Sequence, residues 1–360
     1  MDSQNKAALF LFGRPFSPIY SAGMMLRAYL YKKNICKRKG VNLPVISVGN
    51  LTMGGNGKTP LVIYLARFLS DKGYTPAIVS RGYHGNSKNP VNIVSDGQTI
   101  RMTADAAGDE PVLMANRVEG TLVATGKNRH AVSTEVIRSY QCDVVILDDG
   151  FQHLSMARDI DLVLFDVNHF AGNSRVFPGG ELRETVSALN RCHAFIITGV
   201  NKDNSERAAK CENLLQTRFA DKPVFQASTS YCSFIKYFIS PEAVDKSVVD
   251  LSAIPENLFG FSGIAQPDRF YRMLSRFGFE LSGRKIFEDH YSYSINDIKN
   301  LTCTALETNA SGFITTEKDM VRLTNEHHCP LPFYVPILEY LANEYFESFI
   351  INNLKDINRF

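Results

Sequence analysis

Ser47-Val48-Gly49-Asn50-Leu51-Thr52-Met53-Gly54-Gly55-Asn56-Gly57-Lys58-Thr59-Pro60 is the stretch whose reading decides the fold. The short β-branched run Pro44–Val48 leads into it and reads as a buried strand. Apolar residues at helical spacing follow (Leu61, Val62, Leu65, Phe68, Leu69), and Gly73 stands where a helix usually ends. Strand, glycine loop, Gly-Lys-Thr and helix together form the context of a phosphate-binding loop. There, backbone N–H groups and the helix N-terminus meet phosphate oxygens, the lysine bridges the outer phosphates, and the threonine hydroxyl faces Mg²⁺. Thr52, Met53, Gly54, Gly55, Asn56, Gly57, Lys58 and Thr59 are therefore the candidate nucleotide-binding residues. The general pattern has glycine where this chain has Thr52.

Working outward, Asp143–Leu147 is a second buried-type strand that ends in Asp148-Asp149-Gly150, where carboxylates hold the magnesium of a bound nucleotide. The runs Ala77–Ser80, Thr121–Thr125, Ile160–Phe165 and Ala194–Thr198 continue the alternation of strand and helix-length segments. This pattern predicts an open, mostly parallel sheet with helices on both faces, of the P-loop NTPase type. Its ligands would sit at the carboxyl ends of the strands. A guanine-reading switch is disfavoured, because in Asn201-Lys202-Asp203-Asn204 the aspartate comes one residue early, and Asp148-Asp149-Gly150 lacks the spacing of a switch segment.

The length of 360 residues suggests two domains. We expect a P-loop core over 41–225, a smaller α/β lobe over 226–330 that closes on the active site, and a C-terminal helix over 331–360 packing back on the body. Ile337, Leu338, Leu341, Tyr345, Phe346 and Phe349 carry the helical spacing of that last segment. A 44% apolar and 21% charged composition excludes a disordered or fibrous chain, and no apolar run is long enough for a multi-span membrane protein. Seven scattered cysteines without a C-x-x-C pair fit a reducing compartment.

Residues 1–40 differ from the rest. Ser17-Pro18 reads as a helix N-cap followed by proline at the first helical position, and the apolar stretch to Tyr31 is about 21 Å long, too short to span a bilayer. Lys32, Lys33, Lys37, Arg38 and Lys39 follow it. Residues 1–40 hold eight basic side chains against one acidic, so the near-neutral total of +2 conceals an acidic remainder. An interfacial helix beside a basic cluster suits an anionic membrane surface. No nucleic-acid partner is expected, and the chain reads as a monomer.

A kinase also needs a base for the acceptor hydroxyl and cations for the developing charge. Gly108-Asp109-Glu110-Pro111 and the distant Asp289-His290-Tyr291 offer carboxylates and an imidazole. Together with the glycine loop, Ser80-Arg81-Gly82-Tyr83, Leu147-Asp148-Asp149-Gly150-Phe151-Gln152-His153, Arg158-Asp159-Ile160-Asp161, Leu182-Arg183-Glu184 and Thr315-Thr316-Glu317-Lys318-Asp319, they resemble, in order, the tetraacyldisaccharide 4′-kinase family, the lipid A 4′-kinases of Gram-negative bacteria. In that family threonine is usual at position 52, whereas Leu154 and Glu181 stand where arginine and proline are usual.

The resemblance implies transfer of the ATP γ-phosphoryl group to the 4′-hydroxyl of a tetraacyldisaccharide 1-phosphate, an anionic glycolipid, at the cytoplasmic face of the inner membrane, with the N-terminal helix touching that membrane. It implies ATP and Mg²⁺ as cofactors and Lys58 on the β and γ phosphates. Thr59, Glu110, Asp148 and Asp149 would lie around the metal. Asp109 would act as base with His290 hydrogen-bonded to it, and Arg183 as a cation near the transferred group. The rival reading from another class is a membrane-peripheral P-loop ATPase without a lipid acceptor, which would have no use for a paired Asp109 and His290.

Overall fold

The structure is a computed structural model that describes residues 9–54 and 57–357. Gly55 and Asn56, two of the expected nucleotide-binding residues, lie outside the described residues.

The first sheet contains β1 (Val45–Asn50), β2 (Pro76–Ser80), β3 (Asn92–Asp96), β4 (Leu122–Thr125), β5 (Val144–Asp148), β6 (Ile160–Asp166), β7 (Ala194–Thr198) and β8 (Val224–Gln226). Their spatial order is β3-β4-β2-β5-β1-β6-β7-β8. All neighbours are parallel except the edge strand β3, which runs antiparallel to β4. The apolar runs follow from burial on both faces: Ile46 and Val48 point into one core and Val45 into another. On β6, Ile160, Leu162 and Leu164 share the first of these cores, while Val163 and Phe165 enter a third. The expected mostly parallel sheet is therefore present, with β1 and β5 adjacent at its centre.

The second sheet contains β9 (Ser228–Ile239), β10 (Val244–Val249), β11 (Leu258–Ser262), β12 (Leu281–Ile286), β13 (Gly312–Ile314) and β14 (Phe333–Leu341), in the order β10-β9-β14-β13-β11-β12. It is mixed: β11 to β14 pair in parallel, whereas β9 runs antiparallel to β14 and β10. The chain leaves the first sheet after β8, enters the second along β9 and returns along β14, so two antiparallel strands link the lobes.

Two expectations are corrected. Ile337, Leu338 and Leu341 belong to strand β14, and the C-terminal helix spans only Glu344–Lys355, with Phe346, Ile350 and Leu354 in the first lobe's core. A run that is almost wholly apolar fits a buried strand as well as a helix, and pairing with β9 and β13 decides it. Ser17 is not an N-cap either. A 3₁₀ turn over Arg14–Phe16 precedes the helix Ser17–Lys32 and makes Phe16 the cap residue, which frees the Ser17 hydroxyl. That hydroxyl donates to Val176 O (2.9 Å) and accepts from Gly179 N–H (2.8 Å).

Candidate active site

The glycine loop joins β1 to the helix Lys58–Asp71 at the carboxyl edge of the first sheet. Gly57, the residue before that helix, has φ 77°, a left-handed conformation that a side chain would strain. Gly73 ends the helix at φ 88°, its N–H on Ser70 O (2.9 Å), as its position suggested. Lys58 Nζ lies 3.4 Å from Asn50 Oδ1 and 3.7 Å from Asp149 Oδ1, so the lysine and the strand-end aspartates share one site. The segment 181–183 clamps the front of the loop: Met53 N–H donates to Glu181 O (2.7 Å), Arg183 N–H donates to Leu51 O (2.8 Å), and Thr52 bridges to Leu182.

Asp148 and Asp149 have different surroundings. Asp148 is buried. Its Oδ2 accepts from Ser80 Oγ (3.0 Å), and its Oδ1 has no hydrogen-bond partner among the described residues. Burial, then the charges of Glu110 and Asp149, push its carboxyl up to about 7. Asp149 takes a left-handed backbone (φ 50°) and accepts Arg183 Nη1 at 2.9 and 2.8 Å. Burial opposes its ionisation, but Lys58 and Arg183 outweigh burial and hold it below the usual carboxylate range. Gln152 completes this corner, donating to Asn50 O (2.9 Å) and accepting from Arg183 Nη1 (3.2 Å).

An orphaned buried carboxylate oxygen, on an aspartate that feels Lys58 of the phosphate loop, is a donor that fits a hard divalent cation. Among the described residues, no three acidic, histidine or cysteine side chains converge tightly enough to cage a metal alone. Thr59, Glu110, Asp148 and Asp149 are thus not a closed site. Glu110 Oε1 is engaged by Lys318 Nζ at 2.5 Å, and Asp149 by Arg183.

Asp109 opens the helix Asp109–Arg117. Gly108 before it has φ 94°, and a Cβ there would collide with Tyr83 O. Across 181 residues of chain, His290 Nδ1 donates to Asp109 Oδ2 at 2.6 Å. The sequence placed these two residues on different lobes, and the lobes are closed so that they meet. The His290 ring also lies over His84, with centroids 4.3 Å apart. Burial works against the Asp109 carboxylate, but hydrogen bonds from His290 and Arg322 win and hold it at about 2. It is therefore ionised at neutral pH.

Sequence reasoning missed the second lobe's own contribution. Glu317 pairs with Arg117 at 2.5 Å, Lys318 pairs with Glu110, and Arg322 Nη2 reaches Asp109 Oδ2 at 2.6 Å. The string Thr315-Thr316-Glu317-Lys318-Asp319 was visible as a motif but carried no role. Arg322, flanked by Met320, Val321 and Leu323, was a signal in its own right, being an arginine within an apolar run. By contrast, Asn201 Oδ1 accepts from Asp203 N–H (2.9 Å) and Asn204 Oδ1 accepts from Asn201 N–H (2.8 Å), a capped short turn that accounts for that motif without any base recognition.

This geometry agrees with the comparisons. The model of the tetraacyldisaccharide-1-P 4′-kinase family matches residues 9–355. The chain belongs to that family. A tetraacyldisaccharide 4′-kinase of Desulfotalea psychrophila is 43% identical over 331 residues, 92% of this chain and 92% of that protein. One from Syntrophus aciditrophicus is 37% identical over 350 residues, 95% and 92% of the two chains. A crystal structure of the Aquifex aeolicus LpxK in complex with ATP superposes with a TM-score of 0.74 at 27% identity, covering 94% of this chain and 98% of that one. Within the 4′-kinase framework the two unusual residues are absorbed locally. Leu154 is a core side chain, and Glu181 holds the glycine loop through its main-chain carbonyl.

Proposed function

We propose that this 4′-kinase family member transfers the γ-phosphoryl group of ATP to the 4′-hydroxyl of a tetraacyldisaccharide 1-phosphate, giving lipid IVA, with Asp109 accepting the hydroxyl proton. The observation that carries this reading is the 2.6 Å hydrogen bond joining Asp109 and His290 across the two lobes, beside a phosphate loop. An ATPase that positions only water has no need of that pair, so the geometry favours the kinase over the ATPase.

In a loose phosphoryl-transfer transition state the protein's work is positioning and neutralising charge. Gly57 and the neighbouring loop amides hold phosphate oxygens, and Lys58 lies on the β and γ phosphates. Arg183, kept on Asp149 beside Lys58, is a second cation near the transferred group. Mg²⁺, when bound, would supply further charge neutralisation; Asp148 and Thr59 would hold it, with Asp149 and Glu110 in support. The His290 Nδ1–H fixes the Asp109 carboxylate in one orientation.

The acceptor's acyl chains suggest where the enzyme works. The helix Ser17–Lys32 buries none of its residues, and Leu11, Phe12, Phe16, Ile19, Met25, Leu26, Tyr29 and Ile35 are exposed. No described helix is long and apolar enough to cross a membrane. We read this end as an interfacial anchor on the cytoplasmic face of the inner membrane, its basic cluster on anionic headgroups. It is tied to the site, since Tyr20 OH donates to Arg183 O (3.2 Å) and the Tyr20 ring meets Phe177 edge-on at 5.5 Å.

The test is incubation with γ-labelled ATP, Mg²⁺ and tetraacyldisaccharide 1-phosphate in detergent micelles. Label in the lipid is expected. Free phosphate released at a rate indifferent to lipid would overturn the proposal.

A further inference from the structure

Arg322 lies in the second lobe, just past the short helix Glu317–Met320, with its side chain only 4% exposed. Its guanidinium is fixed from its own side first. Nη1 donates to Asp319 Oδ1 (3.0 Å), Gly263 O (3.0 Å) and Tyr291 O (3.5 Å). Asp319 is fully buried and itself held by Thr316 Oγ1 (2.6 Å), Tyr293 OH (2.8 Å) and Gly263 N–H (2.9 Å). From that base Nη2 crosses to Asp109 Oδ2 at 2.6 Å. The same group also braces the histidine loop, because Gly263 O accepts His290 N–H (3.1 Å) and Tyr291 O belongs to the next residue.

Two donors, His290 Nδ1 and Arg322 Nη2, thus converge on one oxygen of Asp109, and neither bonds Oδ1. We infer that Arg322 is a positioning residue for phosphoryl transfer: it fixes the rotation of the Asp109 carboxylate so that Oδ1 is the oxygen presented to the acceptor hydroxyl, and it makes that orientation depend on docking of the second lobe. The inference rests on Asp109 being the base. Only a forked, planar cation can serve the Asp319 side and the Asp109 side at once, so lysine is a poor substitute.

The experiment measures kcat and both KM values for Arg322→Lys, Asp109→Asn and the double variant in the labelled-lipid assay, with thermal unfolding run alongside. Arg322→Lys is expected to lower kcat about ten- to a hundredfold, the usual cost of misplacing a reacting group, and to leave the KM for ATP within about twofold. In the Asp109→Asn background the same change should cost less than about threefold, because the arginine acts through that carboxylate. An equal loss in both backgrounds, or a folded Arg322→Lys enzyme with unchanged kcat, would overturn the inference while the base assignment stood. Near-normal kcat in Asp109→Asn alone would instead remove the base assignment itself. Should Arg322→Lys not fold, Asp319→Asn loosens the arginine without touching Asp109 and must show the same background dependence; equal losses there would refute the role.

Discussion

Asp148 should make the stability of the nucleotide-free protein depend on pH in an unusual direction. Its carboxyl is raised from an ordinary value near 4 to about 7, by burial first and by Glu110 and Asp149 next. A raised value means that the folded protein keeps a proton which the unfolded chain releases. Stability contributed by this group is therefore complete below about pH 4 and is lost as pH rises towards 7. At about 1.4 kcal/mol per pH unit the loss is on the order of 4 kcal/mol, or roughly 10 °C in the melting temperature of a lobe this size. The perturbation is Asp148→Asn, which abolishes the titration while keeping a hydrogen-bond acceptor for Ser80. Thermal unfolding in chelator from pH 4.5 to 7.5 should show wild type losing stability relative to the variant across that span. Mg²⁺ at pH 7.5 should restore wild type and do much less for Asp148→Asn, because a cation on the orphaned Oδ1 removes the reason for the proton. Parallel melting curves for the two proteins, with equal effects of Mg²⁺, would refute the reasoning.

Asp109→Asn should lower kcat by about 10² to 10⁴ with little change in ATP affinity, as single-turnover transfer and nucleotide titration would show; near-normal turnover would exclude it as base. Because the Asp109 carboxyl is held at about 2, its deprotonation should impose no acid limb on kcat between pH 5 and 8, checked by a pH–rate profile against the Asp109→Glu enzyme. Lys58→Ala should cut kcat/KM steeply in steady-state kinetics, and a small effect would mean that the loop does not serve the transferred phosphates. Arg117→Ala leaves Glu317 buried without its cation and should destabilise the lobe junction by about 3 kcal/mol, read as a lower denaturant midpoint. Replacing Phe12, Phe16 and Ile19 with serine should weaken flotation with vesicles containing anionic lipid, without altering kcat on short-chain or micellar acceptor.

The first sheet was legible because parallel strands buried on both faces leave nearly continuous apolar runs, such as Ile160–Phe165 with Asp161 its one polar residue, and because one glycine loop fixes where the sheet's carboxyl edge lies. The edge strands were not. β3 reads Asn-Ile-Val-Ser-Asp, and β10 is exposed along nearly its whole length. In the second lobe, strands such as Leu281–Ile286 are only half buried, so no periodic signal stood out. β14 misled for the opposite reason: a buried run with an apolar residue at almost every position satisfies helix and strand templates alike. Lys58, Asp148 and Asp149 could be placed from their neighbours along the chain. Asp109 with His290 came from resemblance, since nothing local joins residues 181 positions apart. Arg117, Glu317, Lys318 and Arg322 went unassigned because a charge has a role only once its partner's position is known.

Those four charges explain why the smaller lobe is needed at all. One helix of the P-loop lobe, Asp109–Arg117, is about 13 Å long. A single short segment of the other lobe grips it along that length, with Glu317 on Arg117 at one end and Lys318 and Arg322 on Glu110 and Asp109 at the other. If the lobes separate, Asp109 loses both donors that orient it, and Glu110 loses the cation that neutralises it beside Asp148. On this reading base orientation and charge balance around the phosphates arise in the same docking event.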